Sequence, residues 1–323
     1  MSGENTGGKE RIKPKAIGQL LAIVKYELLW NVRKKKFIGT LTAAFAITTL
    51  TLILPVVLRS MNNMPIEDNP DYVISNSGVG GLMLFLFALV TVMNSVSGEF
   101  ESGTIVTLLT KPVSRTIVFV GKIIAAITTI LAAYTILYVY MVIGGTLIYG
   151  PQNNLNLIPL CFLADVLSTL VWISIILAIG SLSKNTILTA VAGIIIFLAM
   201  NVGSSIISVF TESSWVLHYL PGSGATGYVK KPGQTTPLGS ISTGTDNIAK
   251  IIVQYMLNPS ANITYIKVEL GGRPQGGALS LFKELYSEPL SLVLYRSLTV
   301  AAIYIAALML LGWFSFKRAQ ILE

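Results

Sequence analysis

Six apolar stretches, each long enough to cross a bilayer, constrain this chain more than any other feature. They run from Phe37 to Leu58, Val79 to Val96, Ile117 to about Ile148, Leu157 to Gly180, Ile187 to Phe210 and about Leu290 to Phe316. A hydrocarbon core of about 30 Å takes about 20 helical residues. Each span must be helix, because an open strand leaves its backbone polar groups unsatisfied in lipid. The expected fold is therefore an all-α polytopic membrane protein with six transmembrane helices. Charged residues make up 12% of the chain, against roughly 25% in soluble domains. The third stretch exceeds one perpendicular crossing, so it tilts, bends or projects. Gly144 and Gly145 are its candidate breaks.

Lys and Arg in short loops orient the bundle. Lys9 to Lys36 precede the first span, Lys111 and Arg115 follow the second, Lys184 divides the fourth and fifth, and Lys317 and Arg318 follow the sixth. All fall on one side, so both termini are expected in the cytoplasm. The opposite short loops hold Arg59 beside Glu67, Asp68 and Asp71. The chain then divides into a cytoplasmic N-terminus (1–36), five spans with a cytoplasmic loop at 97–116 (37–210), a long extracytoplasmic segment (211–289), and the sixth span with a cytoplasmic tail (290–323). The N-terminus is polar and basic, so no cleavable leader is expected.

Before the first span, Ile17, Leu20, Leu21, Val24 and Leu28 recur at helical spacing. Ala16 to Lys36 reads as an amphipathic helix in the cytoplasmic interface, with Trp30 near headgroup depth. Its cations, with a net charge of +8, suit an anionic lipid surface rather than nucleic acid.

The single cysteine, Cys161, permits no internal disulfide, and the single histidine, His218, excludes a multi-histidine metal centre. No metal site is expected. His218 follows Trp215 and reads as an interface residue. In the long outer segment, Pro221 to Thr245 reads as loop and Asp246 to Leu257 as a short helix with Asp246 as its cap. Leu281 to Glu288 is a second candidate helix. Asn262-Ile263-Thr264 is a candidate glycosylation acceptor.

The stretch after the second span is the most informative. It carries Glu99, Glu101, Gly103, Thr104, Leu108, Leu109, Pro112, Val113, Ser114 and Arg115, then Gly121 and Lys122. A short helix from about Thr104 to Thr110 is predicted, bounded by Gly103 and Pro112. This order resembles the permease subunits of the ABC type-2 exporter family: an acidic pair, Gly-Thr, a leucine pair, Pro-Val-Ser-Arg, then Gly-Lys. Lys25, Glu27, Leu28 and Arg33 to Lys36 match the interfacial helix with which that family opens. The resemblance implies a permease in the cell membrane, with segment 99–122 holding a coupling helix that docks on a separate ATPase. It implies two such ATPase subunits and a second permease, identical or paralogous. Glu99 and Glu101 would pair with that ATPase or, in the reading we favour, with Lys122 and Arg115 of the same chain.

The Walker pattern GxxxxGK[ST] is absent. No cofactor is expected in this chain, and ATP would bind the partner subunit. Asp165 and Arg296 lie at similar depth in the fourth and sixth spans, Asp165 about 12 Å in at helical rise. Buried charges are usually paired, so an Asp165–Arg296 pair is expected. The alternative is Asp165 bonded to a hydroxyl and Arg296 reaching outward. Rival functions are an ion-coupled secondary transporter, an intramembrane enzyme or an assembly scaffold. Neither inverted repeats nor a cluster of catalytic residue types supports the first two.

Overall fold

The computed structural model describes residues 16–65, 67–103, 113–210, 215–233, 236–268 and 282–318. Six helices are long and apolar enough to cross a membrane: Lys35–Met61, Gly81–Glu101, Arg115–Tyr149, Leu155–Ser183, Thr186–Ser208 and Leu290–Arg318. A separate N-terminal helix, Ala16–Arg33, precedes them.

The fourth span is the centre of the bundle. Its most apolar window is 72% buried, against 11%, 17% and 22% in the first, fifth and sixth spans. Lipid tails are as apolar as Leu, so association rests on close packing and hydrogen bonds. Trp172 supplies both. Its ring meets Phe85 of the second span at 5.3 Å and Phe197 of the fifth at 5.4 Å. Lower down, Tyr134 and Thr169 share a hydroxyl hydrogen bond of 2.6 Å between the third and fourth spans.

Two spans differ from the sequence expectation. The third is one unbroken helix of 35 residues. Gly144 and Gly145 do not break it; they admit neighbours. A Cβ on Gly144 would lie 2.6 Å from Leu52 Cδ1 and one on Gly145 2.2 Å from Val73 Cγ2. The second span runs on to Glu101 instead of stopping at Val96, through an irregular turn between Gly81–Val92 and Ser97–Glu101. Its acidic pair therefore sits on helix, within the bundle's end.

The segment between the fifth and sixth spans contains a four-stranded antiparallel sheet in the order β2-β1-β3-β4, formed by Thr226–Lys230 (β1), Gly239–Ser242 (β2), Asn262–Val268 (β3) and Phe282–Pro289 (β4). Two expectations are corrected here. The stretch from Pro221 to Thr245 is not all loop. Residues 282–288 are strand, not helix, because they pair along β3, Ile263 with Glu288 and Val268 with Phe282. The helix Ile248–Leu257 lies where expected, with Ile248, Ile251 and Ile252 buried. β4 feeds directly into the sixth span at Leu290.

Candidate functional site

The interfacial-helix motif and the two ends of the stretch from Glu99 to Lys122 meet at the end of the bundle where the N-terminal helix lies. That helix crosses the start of the third span at Gly121. A Cβ there would fall 2.8 Å from Ile23 Cγ2 and 3.6 Å from Leu20 Cδ1, so a hydrogen in that place lets the two helices touch. One residue on, Lys122 Nζ donates to Glu27 Oε1 at 2.5 Å and to Glu99 Oε1 at 2.7 Å. Lys122 is only 3% exposed. A buried ammonium needs such partners, because its desolvation is repaid only by close opposite charge. The N-terminal helix, the end of the second span and the start of the third are thus tied at one atom.

A second cation borders the cluster. Lys34 Nζ donates to Asn31 Oδ1 at 2.7 Å and to the Thr91 carbonyl at 3.4 Å. Burial lowers its pKa to about 8, against the opposing pull of Glu27. Glu99 Oε2 has no hydrogen-bond partner among the described residues.

The rest of the loop's stem is pinned as well. Glu101 Oε2 accepts from the Thr186 N–H at 3.0 Å, at the first residue of the fifth span. Phe100 packs edge-on to Phe316 of the sixth span, with Lys184 Nζ 5.6 Å from its ring. Gly103 closes this arm at φ +68°, a conformation that favours glycine. On the returning arm, Ser114 caps the third span by accepting from the Ile117 N–H at 3.2 Å. Arg115 donates to the Lys317 carbonyl at 2.9 Å, and Trp313 Nε1 donates to Thr116 Oγ1 at 3.2 Å. Residues 104–112, and with them Thr104, Leu108, Leu109 and Pro112 of the expected coupling helix, lie outside the described residues.

The N-terminal helix turns Leu20 and Ile23, together with two polar residues, toward the protein and leaves several large apolar side chains outside. Glu27 and Asn31 are buried, while Ile17, Leu21, Tyr26, Leu29, Trp30 and Val32 are exposed. Lys25 and Arg33 are exposed too. Glu27 is therefore part of the buried cluster, not of the outward face. Lys34 belongs to the basic run from Arg33 to Lys36, but Asn31 was not singled out from sequence; it stands one helical turn after Glu27, which is the signal that could have found it.

At the opposite end, the expected Asp165–Arg296 pair is not formed. Asp165 Oδ2 accepts from Tyr138 Oη at 2.8 Å and from the Val79 N–H at 2.7 Å. Arg296 makes a two-pronged contact with Glu288, at 3.0 and 2.8 Å, and reaches Tyr265 Oη at 3.3 Å. His218 is not at a lipid interface either. It is buried between Tyr286 Oη at 2.7 Å and Thr243 Oγ1 at 3.3 Å. Asp246 does not cap its helix; its Oδ1 accepts from Trp172 Nε1 at 2.8 Å. Asn262 opens the inner strand β3 and is half-buried, paired with Lys230 on one side and Pro289 on the other.

Both motifs that meet at Lys122 lie within a single family match. The profile of the ABC-2 family transporter protein covers residues 21–321, nearly the whole chain. The chain belongs to the ABC-2 transporter family. No curated protein matches it. Family and fold together make it a multi-pass membrane protein and a permease component of an ABC transporter.

Proposed function

We propose that this permease is worked by a separate ABC ATPase that docks on segment 97–116, and that it exports its substrate by alternating access. The observation that carries the reading is the Glu27–Lys122–Glu99 cluster. A force applied at the loop reaches buried side chains where its described ends meet the bundle. It passes through Glu99 and Lys122 into the third span and through Glu27 into the N-terminal helix. Glu101 and Phe100 carry it to the fifth and sixth spans. On this reading the loop is the contact point, and the buried charges are the joint that moves several helices together.

ATP would be bound and hydrolysed on the partner, two copies of which would act on a permease pair. The sparsely buried first and fifth spans leave faces for a second permease or for lipid. The N-terminal helix would lie along the cytoplasmic headgroup layer through Trp30 and its apolar neighbours, with Lys25 and Arg33 toward phosphate.

The test is copurification of the ATPase with the native chain and with Glu99→Lys/Glu101→Lys. Loss of association, or retained association with uncoupled ATPase activity, is expected. Unchanged association together with unchanged membrane ATPase activity would remove the docking role.

A further inference from the structure

The first span is seated on the bundle twice, with a gap between the seats. Phe37 and Ala44 join the main core. Leu52 joins a smaller cluster with Tyr72, Val73, Met141 and Tyr149. Between them lies a cavity of about 70 Å³. Ile47, Thr48 and Thr51 of the first span form one wall, and Met83 of the second and Tyr138 of the third belong to the other. The first span is the wall toward lipid, since only 11% of its most apolar window is buried.

The second seat is built on a break in the helix's own hydrogen bonding. Pro55 lies inside Lys35–Met61. It has no N–H, so the Thr51 carbonyl, four residues back, loses its helical donor, and the proline ring pushes that carbonyl aside. In hydrocarbon no water replaces the lost bond. Tyr72 replaces it: its hydroxyl donates to the Thr51 carbonyl. Tyr149 Oη donates to the next carbonyl, that of Leu52, at 2.7 Å. The two rings stack, with centroids 3.7 Å apart and planes 17° apart. Tyr72 opens the short helix Tyr72–Ser75 ahead of the second span, and Tyr149 ends the third span. Two phenols from separate elements thus meet one turn of the first span at its proline. Giving up these two bonds costs the span none of the bonds within its own helix, so it can leave this seat without unfolding.

We propose that the first span is a lateral gate with Tyr72 and Tyr149 as its latch. Release of the two carbonyls lets the Pro55 end swing away from the bundle and opens the cavity to an apolar chain from the bilayer. As a route for substrate the gate rests on the permease reading above; as a motion of this chain it does not.

The test uses the purified full chain in liposomes, without ATPase or nucleotide, so its failure is separable from that of the docking experiment. Spin labels are attached at Leu58→Cys and Leu163→Cys, both about half exposed, in a Cys161→Ala background that removes the one native thiol. Electron–electron double resonance then reads the distance between the first and fourth spans. The native chain is expected to give one main distance. Tyr72→Phe should raise the share of a longer distance about fivefold, the factor carried by one lost hydrogen bond. Adding Pro55→Ala returns an N–H to the Thr51 carbonyl and should bring that share back toward the native value. Tyr149→Phe should raise the longer distance as well, but Pro55→Ala should not reverse it, because residue 55 is not the helical donor to Leu52. A general loosening of the bundle would not produce that difference. Each variant's melting profile is recorded, and if Tyr72→Phe does not fold, Tyr149→Phe carries the comparison. Native distances in either folded tyrosine variant, or equal reversal of both by Pro55→Ala, would overturn the latch.

Discussion

The carboxylate of Glu27 lies 2.5 Å from the ammonium of Lys122, joining a helix outside the bundle to the buried start of the third span. Glu99 accepts a second hydrogen bond from the same ammonium at 2.7 Å. The three charges form a unit, and its parts should not behave independently. Lys122→Met strands two carboxylates and is expected to cost about 3 kcal/mol or more, the scale for breaking a buried pair. Adding Glu27→Gln and Glu99→Gln should recover a large part of that loss. A stability cycle in detergent, by chemical denaturation, checks this. Additive losses would show that the three do not share one site.

Gly121 and Ile23 define the crossing of the N-terminal helix over the third span. Gly121→Ala puts a methyl group 2.8 Å from Ile23 Cγ2 and is expected to cost about 1–3 kcal/mol as overpacking. The helix should lift, seen as faster proteolysis near its start. Ile23→Ala in the same chain should restore protection. Equal proteolysis of the single variant and the native chain would contradict the contact.

Hydropathy was enough to place the six spans, because a bilayer demands length and apolarity and little else. The sheet was not legible. Its strands are four to eight residues long, interrupted by glycine and proline, and held by pairing between distant segments. Gly227 shows the difficulty: it reads as a loop residue, yet it sits in β1 because a Cβ there would fall 2.8 Å from the Thr264 carbonyl across the strand. The Asp165–Arg296 expectation failed for a related reason. Depth along a span says nothing of rotation about it. Asp165 turns toward Tyr138, while Arg296 reaches back to Glu288 on the strand that leads into its own helix. At the other end, the motif residues were legible one by one, but only the folded chain shows that Glu27, Glu99 and Lys122 are a single cluster.

Those pairings can be measured. Glu288→Gln and Arg296→Lys should be strongly non-additive, since each disturbs the same two-pronged contact. Asp165→Asn and Arg296→Lys should add to within about 0.5 kcal/mol. Strong coupling between Asp165 and Arg296 would restore the pair that the structure replaces.

The segment between the fifth and sixth spans should respond to pH through two groups of opposite sign. Burial raises the Asp246 carboxyl from 3.8 to about 7. The folded chain then keeps a proton that the unfolded chain has released, and its contribution to stability falls as pH rises from about 4 to 7. Burial, reinforced by Arg296, lowers His218 from 6.5 to about 4. The unfolded chain takes up the proton first, so this contribution grows as pH rises from about 4 to 6.5. Glu288 is held below its ordinary range by Arg296, despite its burial, and stays ionised above pH 5. Between pH 5 and 6.5, Asp246→Asn should make stability rise more steeply with pH than in the native chain. His218→Gln should make it fall. Native-like slopes in both variants would show that neither group titrates as its burial requires.

The central claim is that the loop between the second and third spans is driven by a nucleotide-binding partner. The most direct measurement places a photo-crosslinking amino acid at Gly103 and, separately, at Val113, the described residues flanking 104–112, in membranes of cells that make the native partner. The account predicts a crosslink at one or both positions to a Walker-motif ATPase, with a yield that changes on adding ATP. Efficient photoactivation with no nucleotide-binding protein captured at either position would contradict it.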